Sequence, residues 1–413
     1  VHVLFKLKLG GFMARSLCED IYFIAARRTP FGSFLGSLAS LSATDLGVIA
    51  AQSALTQANI KPANIDHVIY GNVLQTSKDA IYLARHVGLR CEIPSSTPAL
   101  CVNRLCGSGF EAIIQGARLL ATQEAHCVLV GGSENMSQAP HVLRGARRGL
   151  ALGQGQLEDS LWESLNDTYI NMNMALTAEK LGIDFAISQE QVDLFCLQSQ
   201  KNYQEALKQE VFRDEIQPTT FGTASRPQIL NHDEHPRPDT SLELLQKLPK
   251  VFKPNGLIHA AAASGICDGA AALIMCSRDF LDKQRIKPLA QLVSFATTGC
   301  DPEVMGIGPV SAIKSCLLEA HMTLDHINMI EINEAFAPQT LAVLKALELN
   351  PEKINIHGGA LAIGHPLGAS GARLATHIIH SLKTQREAYG LAAACIGGGQ
   401  GIALLIKSCG EKL

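Results

Sequence analysis

The chain has 413 residues, 47% hydrophobic and 18% charged, with 35 Lys+Arg against 38 Asp+Glu and a formal net charge of -3. That length exceeds what one hydrophobic core usually fills, and a mean hydropathy of +0.13 excludes a disordered or low-complexity chain. The near-neutral balance excludes a general nucleic-acid footprint, and the low charge fraction fits an outer surface partly covered between subunits.

Residues 1–12 carry Lys6 and Lys8 but no secretory cleavage pattern, so Met13 is a candidate start and a natural leader is the alternative. An apolar run at 21–26 predicts a strand, followed by the turn-rich Arg28-Thr29-Pro30-Phe31-Gly32 and a capped helix over 42–57. A second strand is expected at 65–70, a helix at 107–120 after a glycine turn, and a short buried strand at 127–130 closing at Gly131-Gly132. From 132 to 256 the texture turns polar and punctuated, with a helical interval near 189–209. It is too long for a structureless linker, so it reads as an inserted cap. The weakly polar stretch 256–276 carries His259 and Asp268 and is rich in Ala and Gly, so no transmembrane segment is expected.

The rest repeats the same grammar, with strands at 289–295 and 327–332 and helices at 311–320 and 368–382. The runs 391–395 and 401–407 read as strands paired across a glycine turn. "NIDHVIYGN" at 64–72 echoes "HINMIEINE" at 326–334, and "GARLLAT" at 116–122 echoes "GARLATH" at 371–377. Strands alternating with helices in two similar halves predict a duplicated α/β fold around one shared cleft.

The twelve cysteines show no CxxC spacing, and a chain this large needs no disulfide staples, so a reducing compartment is expected and no metal site. Cys106, in "NRLCGSGF", stands at a predicted helix start, where unpaired amides and the dipole lower a thiol's pKa and offer donors to an oxyanion. A buried structural cysteine beside a tight turn is the alternative. His365, in "GGALAIGHPLGASG", lies in a glycine-rich turn suited to proton transfer, with a satisfied core histidine as the alternative. Cys395 ends a strand before three consecutive glycines in "CIGGGQG". In "NEAFA", Asn333 could fix a water or carbonyl, and Glu334 could orient a histidine or simply start a helix. Together these residues suggest acyl transfer with two cysteines. Gly306-Ile307-Gly308 and the 397–401 turn do not make a dinucleotide fingerprint.

These motifs, in order with "RRTPFG", "GGSENMSQAP", "ASGICDGAAA" and "MGIGPV", resemble the thiolase family over nearly the whole length, and within it the mitochondrial-type 3-ketoacyl-CoA thiolases. The resemblance implies a five-layer αβαβα fold. Its N-terminal domain would span 14–138 plus about 257–285, a loop domain covering coenzyme A 139–256, and a C-terminal domain 286–413. It implies Cys106 as the acylated nucleophile, Cys395 as acid and base, His365 as activator, and Asn333 holding a water in one oxyanion hole. The amides of Cys106 and Gly397 would form the other hole. Ser264 and Ala263 would line the pantetheine channel, with Ala335 and Phe336 near its acyl end. No tightly bound cofactor is implied: CoA and acyl-CoA are substrates, and the assembly is a homotetramer, cytoplasmic in a bacterium or else in the mitochondrial matrix. Asn173, where acetoacetyl-specific members commonly have His, leans toward broader substrates. His357 replaces the family's usual Asn or Ser and is assigned no catalytic role.

Overall fold

The computed structural model describes Cys18 and residues 20–410 except Ala224. Met13, the leader question and the extreme ends of the expected domains lie outside those residues. In chain order the first half contains β1 (Ile21–Arg28), α1 (Ala43–Ala58), β2 (His67–Gly71), α2 (Leu83–Arg90), β3 (Ala99–Val102), α3 (Ser108–Ala121) and β4 (Cys127–Asn135). An insertion carrying α4 (Met174–Asp184) and α5 (Gln189–Lys208) precedes β5 (Cys267–Ser277). The second half contains β6 (Ala290–Gly299), α6 (Gly308–Glu319), β7 (Met329–Ile332), α7 (Ala337–Leu347), α8 (Leu367–Gln385), β8 (Tyr389–Ile396) and β9 (Gln400–Ser408).

The strands run β3-β2-β4-β5-β1 in one half-sheet and β7-β8-β9-β6 in the other. The two half-sheets join where Tyr22 and Phe23 of β1 pair with Gln291 and Ala290. In each half the first pair is parallel (β2 with β4, β7 with β8) and the hairpin that follows is antiparallel. The duplication is therefore real.

Burial on both sheet faces explains why the strands read as continuous apolar runs. In β4, Val128 and Val130 join the central core with Ile113 and Ala117 of α3 and Leu374 and Ile378 of α8, while Leu129 faces Leu46 and Ala50 of α1. In β9, Leu404 and Ile406 turn to the same central core, and Leu405 packs with Ile313 of α6 and Val343 of α7. Alternation along a strand thus feeds two cores at once and produces the αβαβα layering, each fully buried Ile or Leu contributing roughly 1.5–3 kcal/mol. The Ser42 cap of α1 is present as a capping box with Asp45.

Three expectations need correction. β4 does not close at Gly131-Gly132 but runs on to Asn135, because these glycines let the start of α8 and strand β5 lie directly on the strand: a Cβ at Gly132 would strike Gly368 backbone, and one at Gly131 the Ala271 carbonyl. The stretch 256–276 contains most of β5, a central strand whose Gly and Ala content hid it. The "GAR" echo falls on both central helices but out of register: α3 and α8 cross at Gly109 and Gly371, each of which would clash with the other helix if given a Cβ. The strand echo at 64–72 and 326–334 does match equivalent strands.

The insertion occupies 136–266 and is held to both halves by buried charge. Arg28 of β1, fully buried, bonds Glu215 at 2.7 Å and Asp233 at 2.6 and 3.0 Å, and Glu215 also meets His377 of α8 at 2.9 Å. Such groups are tolerated in a core because every charge has a partner. Among the described residues no helix is long and apolar enough to cross a membrane.

Candidate active site

The α3–α8 crossing brings two helix starts together, and the reactive residues cluster there. Cys106 ends a turn in which the Gly107 amide donates to the Arg104 carbonyl at 3.0 Å and Leu105 is left-handed (φ 48). Arg104 reaches Glu111 in the first turn of α3 at 2.7 Å and Gln400 of β9 at 3.0 Å, tying this turn to the glycine turn after Cys395. There, Gly398 and Gly399 have φ of 78 and 83, a region that other residues seldom enter. The reversal directs the Gly397 amide at the Cys106 sulfur, which also receives its own backbone N–H.

The charge state of Cys106 differs from the expectation. Burial pushes the thiol up to about 11, outweighing the Gly397 and Cys106 amides that pull it down, and Glu134 adds to the rise. Desolvation of the charged form is stronger here than the helix-start field, so Cys106 is favoured as a thiol. Cys395 is fully buried and also raised, first by burial and then by proximity to Cys106. These two cysteines therefore face one site as protonated thiols.

His365 is held at both ring nitrogens. Its Nδ1 lies 2.5 Å from Ser370 Oγ, whose hydroxyl donates to the Pro366 carbonyl at 3.0 Å. The serine therefore accepts from Nδ1–H, which makes Nε2 the acceptor nitrogen of the ring. Asn333 Nδ2 donates to that Nε2 at 3.3 Å. Burial, with help from Arg373, lowers His365 to about 3, so the ring is neutral. Asn333 is buried and its Oδ1 has no protein partner. Glu334 has no hydrogen bond to His365: it accepts from Ser199 Oγ at 2.8 Å, Asn355 Nδ2 at 2.7 Å and the Leu361 amide, in the first turn of the short helix Ala360–Ile363, at 3.1 Å, bracing the segment that leads to His365.

A cavity of about 280 Å³ opens beside His365 and is lined by Phe336 from the second half and by Trp162, Met174, Phe252, Ala263 and Ser264 from the insertion. Ala263 bridges Phe336, and the Ser264 amide donates to the Ala335 carbonyl at 3.0 Å. Ala335 itself lies behind the wall, packed with Cys395 and Met305. Asn173 lines the cavity but is occupied as the cap of α4, accepting from the Ala175 amide at 3.0 Å. His357 is buried beside His377 at 3.0 Å and is not among the residues of this site.

With that geometry in place, the whole sequence can be matched to known proteins. Residues 21–279 match the thiolase N-terminal domain and 286–408 the thiolase C-terminal domain. The chain belongs to the thiolase family. It is 49% identical to human mitochondrial 3-ketoacyl-CoA thiolase over 394 residues, 95% of this chain and 99% of that protein. The crystal structure of the human mitochondrial enzyme in complex with CoA superposes with a TM-score of 0.93 at 49% identity, covering 95% of this chain and 98% of that one. An acetyl-CoA acetyltransferase from Bacillus anthracis reaches the same TM-score at only 35% identity, covering 95% and 100%.

Sequence reasoning did not single out two residues of this thiolase site. Ser370, which fixes the His365 tautomer, and Glu134, buried beside Cys106, sit inside "GHPLGASG" and "GGSENMSQAP". A polar residue within a glycine-rich or apolar motif was the available signal.

Proposed function

We propose that this thiolase is a 3-ketoacyl-CoA thiolase that cleaves 3-ketoacyl-CoA with CoA, giving acetyl-CoA and a shortened acyl-CoA. The observation that carries the reading is the Cys106 sulfur met by two backbone amides with the Cys395 thiol beside it, together with a neutral imidazole, His365, that opens on the cavity. The 49% identity to the human mitochondrial 3-ketoacyl-CoA thiolase, against 35% to the Bacillus anthracis acetyltransferase, supports this subtype over an enzyme restricted to acetoacetyl-CoA.

In this reading Cys106 gives its proton to His365 Nε2 as sulfur attacks the 3-keto carbon, and the Cys106 and Gly397 amides take the oxyanion. The bond between C2 and C3 breaks, leaving acyl-Cys106 and an acetyl-CoA enolate. Asn333 and His365 stabilise that enolate, and Cys395 protonates its carbon. A fresh CoA thiol then returns a proton to Cys395 and attacks the thioester, freeing Cys106. In the acyl-enzyme the Cys395 thiolate is offset by the His365 imidazolium, and His365 returns its proton to the Cys106 sulfur as CoA displaces it, so the cycle closes with both cysteines as thiols. The cavity under Trp162 and Phe252 would receive the pantetheine arm, with Ser264 and Ala263 along it. The domain limits follow the insertion, and the relatives' mitochondrial naming supports the matrix as the compartment.

The homotetramer is part of the same proposal. The insertion projects a hairpin, His141–Leu143 with Leu157–Asp159, whose tip exposes Leu150, Leu152 and Leu157. A second copy would cover it.

The test is CoA-dependent cleavage of acetoacetyl-CoA and a medium-chain 3-ketoacyl-CoA by one purified sample. Comparable kcat/KM on both is expected, with an acyl adduct on Cys106 in intact mass. Activity on acetoacetyl-CoA alone would reassign the enzyme to acetyl-CoA acetyltransferase.

A further inference from the structure

Glu134 is a fully buried carboxylate for which the proposed reaction has no use. It stands at the end of β4 and accepts four hydrogen bonds. Asn72 Nδ2 and the Leu74 amide reach Oε1 at 3.0 and 3.1 Å, and the Val73 and Gly368 amides reach Oε2 at 3.1 and 2.9 Å. The first three donors belong to the segment leaving β2, and Val73 and Leu74 of that segment pack against the same small cluster, Met136, Leu161 and Leu367, as Cys106 does. The fourth is in the first turn of α8, three residues after His365. One side chain therefore pins the wall beside the nucleophile to the helix that carries the base.

The duplicated fold supplies an internal control. Strand β8 occupies in the second half the place β4 holds in the first, and Ile396 stands there where Glu134 stands here: each lies toward the end of its strand, opposite the partner strand's start, Glu134 facing Gly269 and Ile396 facing Gln400. The architecture closes that position with a buried aliphatic, so packing alone does not call for an acid. A buried acid is tolerated only with donors turned toward it, and these donors come from the two segments that must hold Cys106 and His365 in register.

We propose that Glu134 is a positioning residue of the thiolase reaction: as a carboxylate it clamps the segment beside Cys106 to the start of α8, and catalysis needs the clamp closed. This rests on the thiolase reading and adds to it a residue that touches no substrate. Closing requires both oxygens to accept, so protonation, which turns one oxygen into a donor facing two N–H groups, opens it. Burial raises Glu134 to about 7, against the Leu74, Gly368 and Val73 amides that pull it down, and Asp268 adds to the rise. The groups facing it are Asn72 after β2, the Gly368 amide of α8, Asp268 of β5 and the Cys106 thiol. His365 is neutral far below this range, and Glu334, whose carboxyl burial also raises, has no hydrogen bond to Asn72, so the response of an acid limb to Asn72→Ala is specific to the clamp.

The experiment is the pH dependence of kcat for thiolysis of acetoacetyl-CoA by the full chain, with its Glu134→Gln and Asn72→Ala variants. The unaltered chain should lose activity as pH falls through about 7. Glu134→Gln should lower kcat at least about tenfold, leave KM for CoA within about twofold and abolish the limb. Asn72→Ala removes one donor to the charged form and keeps the three amides, so the limb should move to higher pH. This variant decides the matter if Glu134→Gln does not fold. An unchanged limb in Asn72→Ala, or a Glu134→Gln enzyme with wild-type kcat and the same limb, overturns the proposal while the thiolase reading stands. An unaltered chain inactive on every 3-ketoacyl-CoA overturns both.

Discussion

Replacing Ser370 with Ala isolates the contact that decides which nitrogen of His365 is basic. The serine oxygen lies 2.5 Å from Nδ1 and passes its own proton to Pro366 at 3.0 Å, in a site that is almost completely buried. Without it, the Nδ1–H has no acceptor and no water to replace it, an imbalance worth about 1–3 kcal/mol. The ring can escape only by moving its proton to Nε2, where it would face the Asn333 amide and could no longer accept from Cys106. Either response burdens the transition state, and at about 1.4 kcal/mol per tenfold the loss in kcat/KM is roughly 5- to 150-fold. KM for CoA should stay within about twofold, because the cavity wall is untouched. Steady-state thiolysis of acetoacetyl-CoA, with a thermal melt to confirm folding, measures this. A folded Ser370→Ala enzyme with wild-type kcat/KM would refute the tautomer argument.

Acid should weaken the fold through its buried imidazoles. His357 and His365 are each lowered to about 3, chiefly by burial, so the neutral form stabilises the native state fully above the unfolded value near 6.5 and that stabilisation drains away as pH falls toward 3. Between pH 7 and pH 5 each removes about 2 kcal/mol, and urea midpoints should show His357→Asn losing less than the unaltered chain; identical pH slopes would refute this. Arg28→Met leaves Glu215 and Asp233 buried without their shared cation and should destabilise by about 3–5 kcal/mol in denaturant unfolding; a change under about 1 kcal/mol would mean the insertion is held by other contacts. Leu152 is fully exposed at the hairpin tip, so Leu152→Asp should shift a tetramer to smaller species in light scattering without lowering the melting temperature of the remaining particle. An unaltered mass would remove this tip from the assembly surface.

Local grammar made part of this molecule readable. Ser42 with Asp45, the glycine turn after Cys395 and the helix behind Cys106 announce themselves within a few residues, because caps, turns and helix starts are decided by near neighbours. What stayed hidden depends on partners far along the chain. Gly131 and Gly132 look like a strand's end until the start of α8 and strand β5 are seen lying on them, and the small residues of β5, which fit a crowded layer, gave no strand signal of their own. The helix start behind Cys106 suggested a lowered thiol pKa, whereas burial raises it, and the cluster beside it, with Leu161 and Leu367, is made by segments that no local window includes. Glu134 contacts Gly368 from 234 positions away, and no periodicity signals such a bond.

The two halves spend the same hairpin differently. In the second, β8 returns as β9 through three glycines that deliver an amide to the nucleophile; in the first, the equivalent return expands into all of 136–266. Yet that excursion leaves and rejoins the sheet at adjacent residues, Asn135 opposite Asp268. A segment whose ends sit side by side can be swapped as a cassette, as loop grafts and domain insertions are where termini converge. Exchange between Asn135 and Cys267 would therefore change the insertion's share of the cavity wall, Trp162, Met174 and Phe252, while the glycine turn at Gly397 stays untouched, so the wall and the turn can vary separately within one polypeptide.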